Sequence, residues 1–106
     1  MLFAVWATDR EGALPERLRV REAHRARLRD PAPHAVRVVL AGPLLASDGS
    51  MNGTMLVVQA EHIDAVRAFV DGDPYVQAGV YDSVDIRPFK CGLGPLTELP
   101  PMINPP

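Results

Sequence analysis

The first apolar stretch constrains the fold more than any other feature. Residues Leu2 to Thr8 read Leu-Phe-Ala-Val-Trp-Ala-Thr, with no charged side chain and only weak alternation. Val, Phe and Trp favour extended backbone, and an unbroken apolar run presents apolar surface on both faces of a strand. Such a strand belongs inside a sheet, covered from above and below. A chain of 106 residues forms one domain, with a single layer of helices available for one face. The second face then calls for a partner subunit.

The segments that follow supply the rest of that sheet. Asp9 to Gly12 forms a turn, and a helix is expected from Leu14 to Arg29. Pro15 suits its first turn, where a missing N–H leaves no bond unmade. Asp30-Pro31-Ala32-Pro33 ends it, because a proline disfavours helical backbone in the residue before it. Ala35 to Leu45 is a second strand, and Gly42-Pro43 within it marks an edge, a bulge or a strand end. The turn formers of Ser47 to Gly53 connect it to a third strand, Thr54 to Ala60. A second helix spans Glu61 to Asp71, with Ile63, Val66, Phe69 and Val70 on one stripe and Gly72 as its stop. After Asp73-Pro74-Tyr75, the last strand runs from Val80 to Lys90, with Tyr81, Val84 and Ile86 expected in the core. Pro88 argues for an edge or a strand end there. The order β-α-β-β-α-β is the ferredoxin-like one, an α+β fold with two helices on one face of a four-stranded antiparallel sheet. The tail from residue 91 to 106 holds five of the eleven prolines and forms no regular helix. It is an extended arm on a partner or a frayed end.

Within the first helix the stretch Arg17 to Leu28 carries one histidine, His24, among arginines. Each residue advances about 100° around the axis, so Arg17, Arg21, His24 and Leu28 share a strip, with Leu14 and Leu18 beside it on the expected buried face. His24 then sits at the edge of the core, where a cleft can form. Six of the ten arginines fall between Arg17 and Arg29. A solvated helix face paired with Glu16, Glu22 and Asp30 accounts for such a run, with Arg19, Arg27 and Arg29 facing solvent. The sharper alternative gives Arg17 and Arg21 an anionic small ligand.

Several function classes are set aside. The net charge of −2 gives no reason to expect nucleic acid as a partner. No apolar run approaches the ~20 residues of a membrane span, and the start lacks the pattern of a signal peptide, so a cytoplasmic protein with no membrane partner is expected. Cys91, the only cysteine, reads as an incidental thiol. His24, His34 and His62 lack ligand spacing, so no metal is expected. Gly92-Leu93-Gly94 lacks the setting of a dinucleotide loop. Nothing in the chain calls for a cofactor.

Taken together, the segments resemble the YciI-like (YCII-related) family of small bacterial proteins. The resemblance covers roughly residues 1 to 90. It rests on the opening strand, Arg21-x-x-His24-x-x-x-Leu28, Ala41-Gly42-Pro43, Gly53, and Ala68-x-x-x-x-Asp73-Pro74-Tyr75-x-x-Ala78-Gly79-Val80-Tyr81, closed by Ile86-Arg87-Pro88-Phe89-Lys90. It implies a ferredoxin-like fold forming dimeric α+β barrels, hence a homodimer, and a site built on a histidine and an aspartate, which fall on His24 and Asp73. Dehydrochlorination of a chlorinated hydroxyhydroquinone is one activity known in the family. The proline-rich tail and the proline-bounded link at residues 30 to 34 depart from its pattern.

The chemistry of that pair is coherent. An imidazole takes and gives protons near neutrality, and a carboxylate bonded to one ring nitrogen fixes the tautomer and supports the imidazolium. On this reading His24 is a base and Asp73 its orienter, in an elimination or isomerisation on a small molecule. Arg21 holds a carboxylate or phenolate. Tyr75 donates a hydrogen bond to the ligand or serves as packing, and Trp6 is core or pocket wall. Considered singly, His24 reads as a core-edge histidine, Asp73 as a turn former before Pro74, and Asp48 as a turn residue. The competing function is a non-catalytic ligand-binding or dimerisation module. A haem-binding relative of the same architecture rests on His24 alone.

Overall fold

The structure is a computed structural model, and it describes residues 1–102. The chain forms β1 (Leu2–Asp9), α1 (Leu14–Arg29), β2 (Arg37–Leu45), β3 (Met51–Gln59), α2 (Ile63–Asp71), a one-turn helix α3 (Pro74–Gln77) and β4 (Tyr81–Phe89). The four strands make one antiparallel sheet in the order β2-β3-β1-β4, so the apolar strand β1 is interior and both proline-bearing strands are edges. This is the expected α+β arrangement, with a short third helix added. At an edge, a proline's missing N–H breaks no ladder, which explains how Pro43 and Pro88 are accommodated. β2 therefore continues through Gly42-Pro43 to Leu45, and the following loop contracts to Ala46–Ser50.

Register separates the two faces. Phe3, Val5 and Ala7 stand beside Val58, Leu56 and Thr54 on the helix-covered face. There the core closes with Val66, Phe69 and Val70 from α2. Phe69 is fully buried, a burial that stabilises by about 1.5–3 kcal/mol. Ala4 and Trp6 point the other way, beside Val57 and Met55. Trp6 stands 53% exposed there, neither core nor pocket wall as the sequence suggests. The physical reason is strand alternation: every second residue of β1 faces away from the helices. On β4, Ile86 packs against the main core and Tyr81 against a smaller cluster around Tyr75, while Val84 near the edge is 39% exposed.

The helix α1 departs most from expectation. Its buried residues are Arg17 and His24, whereas Leu18 is 54% exposed and Leu14 half-buried. The strip assigned to the edge of the core is itself the inward face. Leu18 lies about 100° around the helix from Arg17, on the solvent side. Arg17 and His24 are tolerated inward because each has a bonded partner. Arg27 also leaves solvent, with its guanidinium 4.4 Å from the Phe69 ring centroid.

Beyond Lys90, Pro95–Glu98 forms a single 3-10 turn, and the carbonyl of Pro100 accepts a hydrogen bond of 2.9 Å from Gln59 Nε2. The described part of the tail thus touches its own sheet. Residues 103–106 of the proline-rich tail lie outside the described residues.

Candidate functional site

The site is assembled from three corners of the chain. Asp73 follows α2 and serves as N-cap of α3, its carboxylate accepting from the Tyr75 N–H at 2.8 Å. Asp-Pro is well suited to this role, since the aspartate satisfies an unpaired N–H and the proline needs none. The same carboxylate faces α1. His24 Nδ1 lies 2.9 and 2.8 Å from its two oxygens, and both side chains are nearly free of solvent. With Nδ1–H donating to Asp73, the neutral imidazole keeps its lone pair on Nε2. Among the described residues, Nε2 has no hydrogen-bond partner.

Tyr75, held by α3, stacks on His24 with ring centroids 3.9 Å apart and planes 23° from parallel. The Arg17 guanidinium lies 4.4 Å from the centroid of the same tyrosine ring. Arg17 and His24 are two turns apart on α1, and Tyr75 touches both. The ring has these two stacking partners, and Tyr81 packs edge-on against it at 5.8 Å, so its freedom to turn is small.

Below Tyr75 lies a polar network that sequence reasoning missed. Arg17 donates from Nε and Nη2 to the two carboxylate oxygens of Asp9 at 2.7 and 2.8 Å, and from Nη2 to Thr54 Oγ1 at 2.8 Å. Tyr81 O–H donates to the same hydroxyl at 2.9 Å. Burial by itself would lower the Arg17 pKa; the hydrogen bond and charge of Asp9 outweigh it, and the guanidinium is held above its ordinary value. Burial pushes the Tyr81 phenol well up, and that of Tyr75 up as well, so both stay protonated. Arg17 is therefore committed to Asp9 and Thr54, which corrects its assignment to an anionic ligand. The one available signal was its place on the His24 strip.

These groups form one wall of a cavity of about 590 Å³ between α1 and β2. Arg17, Arg21, His24, Thr54 and Tyr75 line it on one side, and Leu28, Val38, Pro43 and Met51 give it an apolar part. This is the size range of sites for small molecules. The structure thus brings His24, Asp73 and Tyr75 into contact and sets Arg21 on the same cavity. Trp6, His62 and Asp48 lie elsewhere. Asp48 accepts from Ser50 N and Oγ within its turn, bonds that hold its pKa below the ordinary carboxylate value. His34 leaves the surface to pack edge-on against Phe69, with its Nε2 3.2 Å from Arg27 Nη2. Among the described residues no three His, Cys, Asp or Glu side chains gather where a metal ion could be held.

A family model for the YCII-related domain matches residues 1–90. The chain belongs to the YCII-related domain family. Protein YciI of Escherichia coli is 38% identical over 96 residues, covering 85% of this chain and 97% of that protein. A Haemophilus influenzae protein is 36% identical over the same shares of the two chains. Among solved structures, the 5-chloro-2-hydroxyhydroquinone dehydrochlorinase of Burkholderia phenoliruptrix, in complex with 2,5-dihydroxybenzoquinone, superposes with a TM-score of 0.76 at 31% identity. That match covers 87% of this YCII-related chain and 96% of the dehydrochlorinase.

Proposed function

We propose that this YCII-related protein is a cytoplasmic, cofactor-free enzyme that moves a proton on a small molecule, an aromatic one included, in an elimination or isomerisation. The observation that carries the reading is His24, bonded through Nδ1 to the buried Asp73 on the wall of a ligand-sized cavity. His24 Nε2 takes a proton from an acidic C–H or O–H of the substrate. The electron pair left behind forms a new double bond, and either a leaving group departs with its own pair or the proton returns at another atom. Asp73 holds the imidazole in the required tautomer and stabilises the imidazolium as it forms. Arg21, one turn before His24, stabilises the negative charge that develops on the substrate. Tyr75 fixes the plane of the imidazole by stacking. The likeness to a dehydrochlorinase, named for the removal of hydrogen and chlorine from an aromatic compound, supports the elimination branch.

The same proposal gives the open sheet face to a second copy of the chain. Trp6, Leu40 and Phe89 stand 53%, 47% and 38% exposed, and packing two such faces together supplies the cover that the apolar strand β1 calls for. Light scattering on purified protein is expected to give a dimer, and a monomer at micromolar concentration refutes this part.

The test of activity is incubation with chlorinated and hydroxylated aromatic compounds, with turnover followed by mass spectrometry. Turnover is expected from the native protein and not from His24→Ala, with the fold of the variant checked by circular dichroism. A ligand bound and released unchanged identifies a binding module instead. Turnover that survives His24→Ala refutes the role of the pair.

A further inference from the structure

The polar network below Tyr75 holds one more proton than it can place. Thr54 Oγ1 has two lone pairs and one hydrogen. A guanidinium has donors only, so Arg17 Nη2, 2.8 Å away, takes one of the lone pairs. Burial keeps the Tyr81 phenol protonated, and among the described residues its hydroxyl is bonded to Thr54 Oγ1 alone, at 2.9 Å. The single bond between these two hydroxyls uses one of their two protons. The other has no acceptor among the described residues. A buried donor left in that state is costly.

The positions of the two hydroxyls decide which one can spend the spare proton on a ligand. Thr54 lines the cavity and Tyr81 does not. Thr54 lies on β3 between Ala7 and Pro43, and its side chain stands on the helix-covered side of the sheet, the side of the cavity. It is 2% exposed, so it belongs to the floor and not to the rim. With Tyr81 donating to Thr54, the spare proton is the one on Oγ1. Bonding to Arg17 and Tyr81 accounts for the Thr54 oxygen but gives its hydrogen nothing to do.

We infer, building on the reading of this cavity as the substrate site, that Thr54 binds the substrate. Its O–H donates to a substrate oxygen, a carbonyl or a phenolate, at a point apart from the hydrogen that His24 removes. Bonds in a chain polarise one another, so the two donors on Oγ1 strengthen the bond that Thr54 gives. With both lone pairs engaged, Thr54 cannot accept. The floor therefore selects an oxygen acceptor and disfavours an N–H or ammonium group at the same place.

The test compares 3- and 4-hydroxyacetophenone with 3- and 4-isopropylphenol by calorimetric titration at about pH 6, where these phenols are neutral. Each pair exchanges a carbonyl oxygen for a methyl group. For at least one pair, the affinity ratio of ketone to alkylphenol is expected to fall tenfold or more from the native protein to Thr54→Val, a change of about 1.4 kcal/mol. Thr54→Ser and Tyr81→Phe keep the ratio within about threefold of native, or about 0.65 kcal/mol, because each retains a Thr54-type hydroxyl proton at this position. A purely structural role weakens both members of a pair together and leaves the ratio alone. An unchanged ratio in Thr54→Val, a tenfold fall in Tyr81→Phe, or failure of all four compounds to bind at millimolar concentration overturns the inference. Infrared spectroscopy needs no variant: the carbonyl band of the bound ketone moves to lower wavenumber, and an unshifted band also overturns it. His24→Asn separates this from the catalytic reading, since it keeps the ketone preference while turnover is absent. Turnover that survives His24→Ala sinks the proton transfer and leaves Thr54 as a ligand-binding residue.

Discussion

Replacing Asp9 by Ala tests how the buried network supports the site. The Arg17 and Asp9 side chains are 2% and 5% exposed and paired at 2.7 Å, so solvent screening does little to weaken their interaction. Removing the carboxylate leaves a buried guanidinium with Thr54 Oγ1 as its one remaining bonded partner. Breaking a buried pair in this way costs about 3–5 kcal/mol, a large part of the roughly 5–15 kcal/mol that holds a domain together. At roughly 4–6 °C per kcal/mol for a domain of this length, Tm falls by about 12–30 °C. Urea denaturation followed by circular dichroism gives the free energy directly, provided the m-value is unchanged. The control is the double variant Asp9→Ala, Arg17→Met, which removes both charges. It is expected to be more stable than Asp9→Ala alone, because no orphaned charge remains. A loss below about 1 kcal/mol for Asp9→Ala, or strict additivity of the two single variants, refutes the account.

Other consequences are equally direct. Asp73→Asn keeps an oxygen for the Tyr75 N–H, so stability changes by less than about 1 kcal/mol while turnover falls at least about a hundredfold; a large loss of stability in a melting experiment counts against the capping argument. Tyr75 and Tyr81 have folded-state pKa values raised by burial, so both states hold their protons below about pH 10, and above it the unfolded chain loses them first. Stability therefore falls on the alkaline side by up to about 1.4 kcal/mol per pH unit per tyrosine, and Tyr81→Phe makes the decline of Tm between pH 10 and 11 shallower; an unchanged slope contradicts the assignment. A Cβ at Gly53 would sit 2.6 Å from the Ala7 carbonyl oxygen, so Gly53→Ala forces β1 and β3 apart beside Thr54 and destabilises by about 1–3 kcal/mol in chemical denaturation.

The fold was legible because local signals agreed with one another. Prolines bounded α1, Gly72 closed α2, and the apolar run of β1 demanded the centre of a sheet. Strand ends differed by up to three residues, since pairing partners rather than propensity decide where a ladder stops. What no local pattern carried was the inward face of α1. Hydropathy points Leu18 inward ahead of Arg17, and the structure reverses them because Asp9 and Thr54 hold the Arg17 guanidinium inside the fold. Asp9 read as a turn residue, and its role depends on where β1 ends relative to α1. Asp73 was legible locally as a turn former. Its bond to His24, 49 residues away, is a tertiary fact that family resemblance suggested and periodicity did not contain.

Asp73 carries two duties with one carboxylate: it caps α3 and it orients His24. Most replacements lose both together, so a chain that drifts away from the proposed proton-transfer chemistry also loosens the corner that carries Tyr75. Asparagine is the exception, since it caps as well as aspartate but cannot stabilise an imidazolium. Inactivity and instability are thereby coupled at this position, with one residue type through which a lineage can retire the chemistry and keep the architecture.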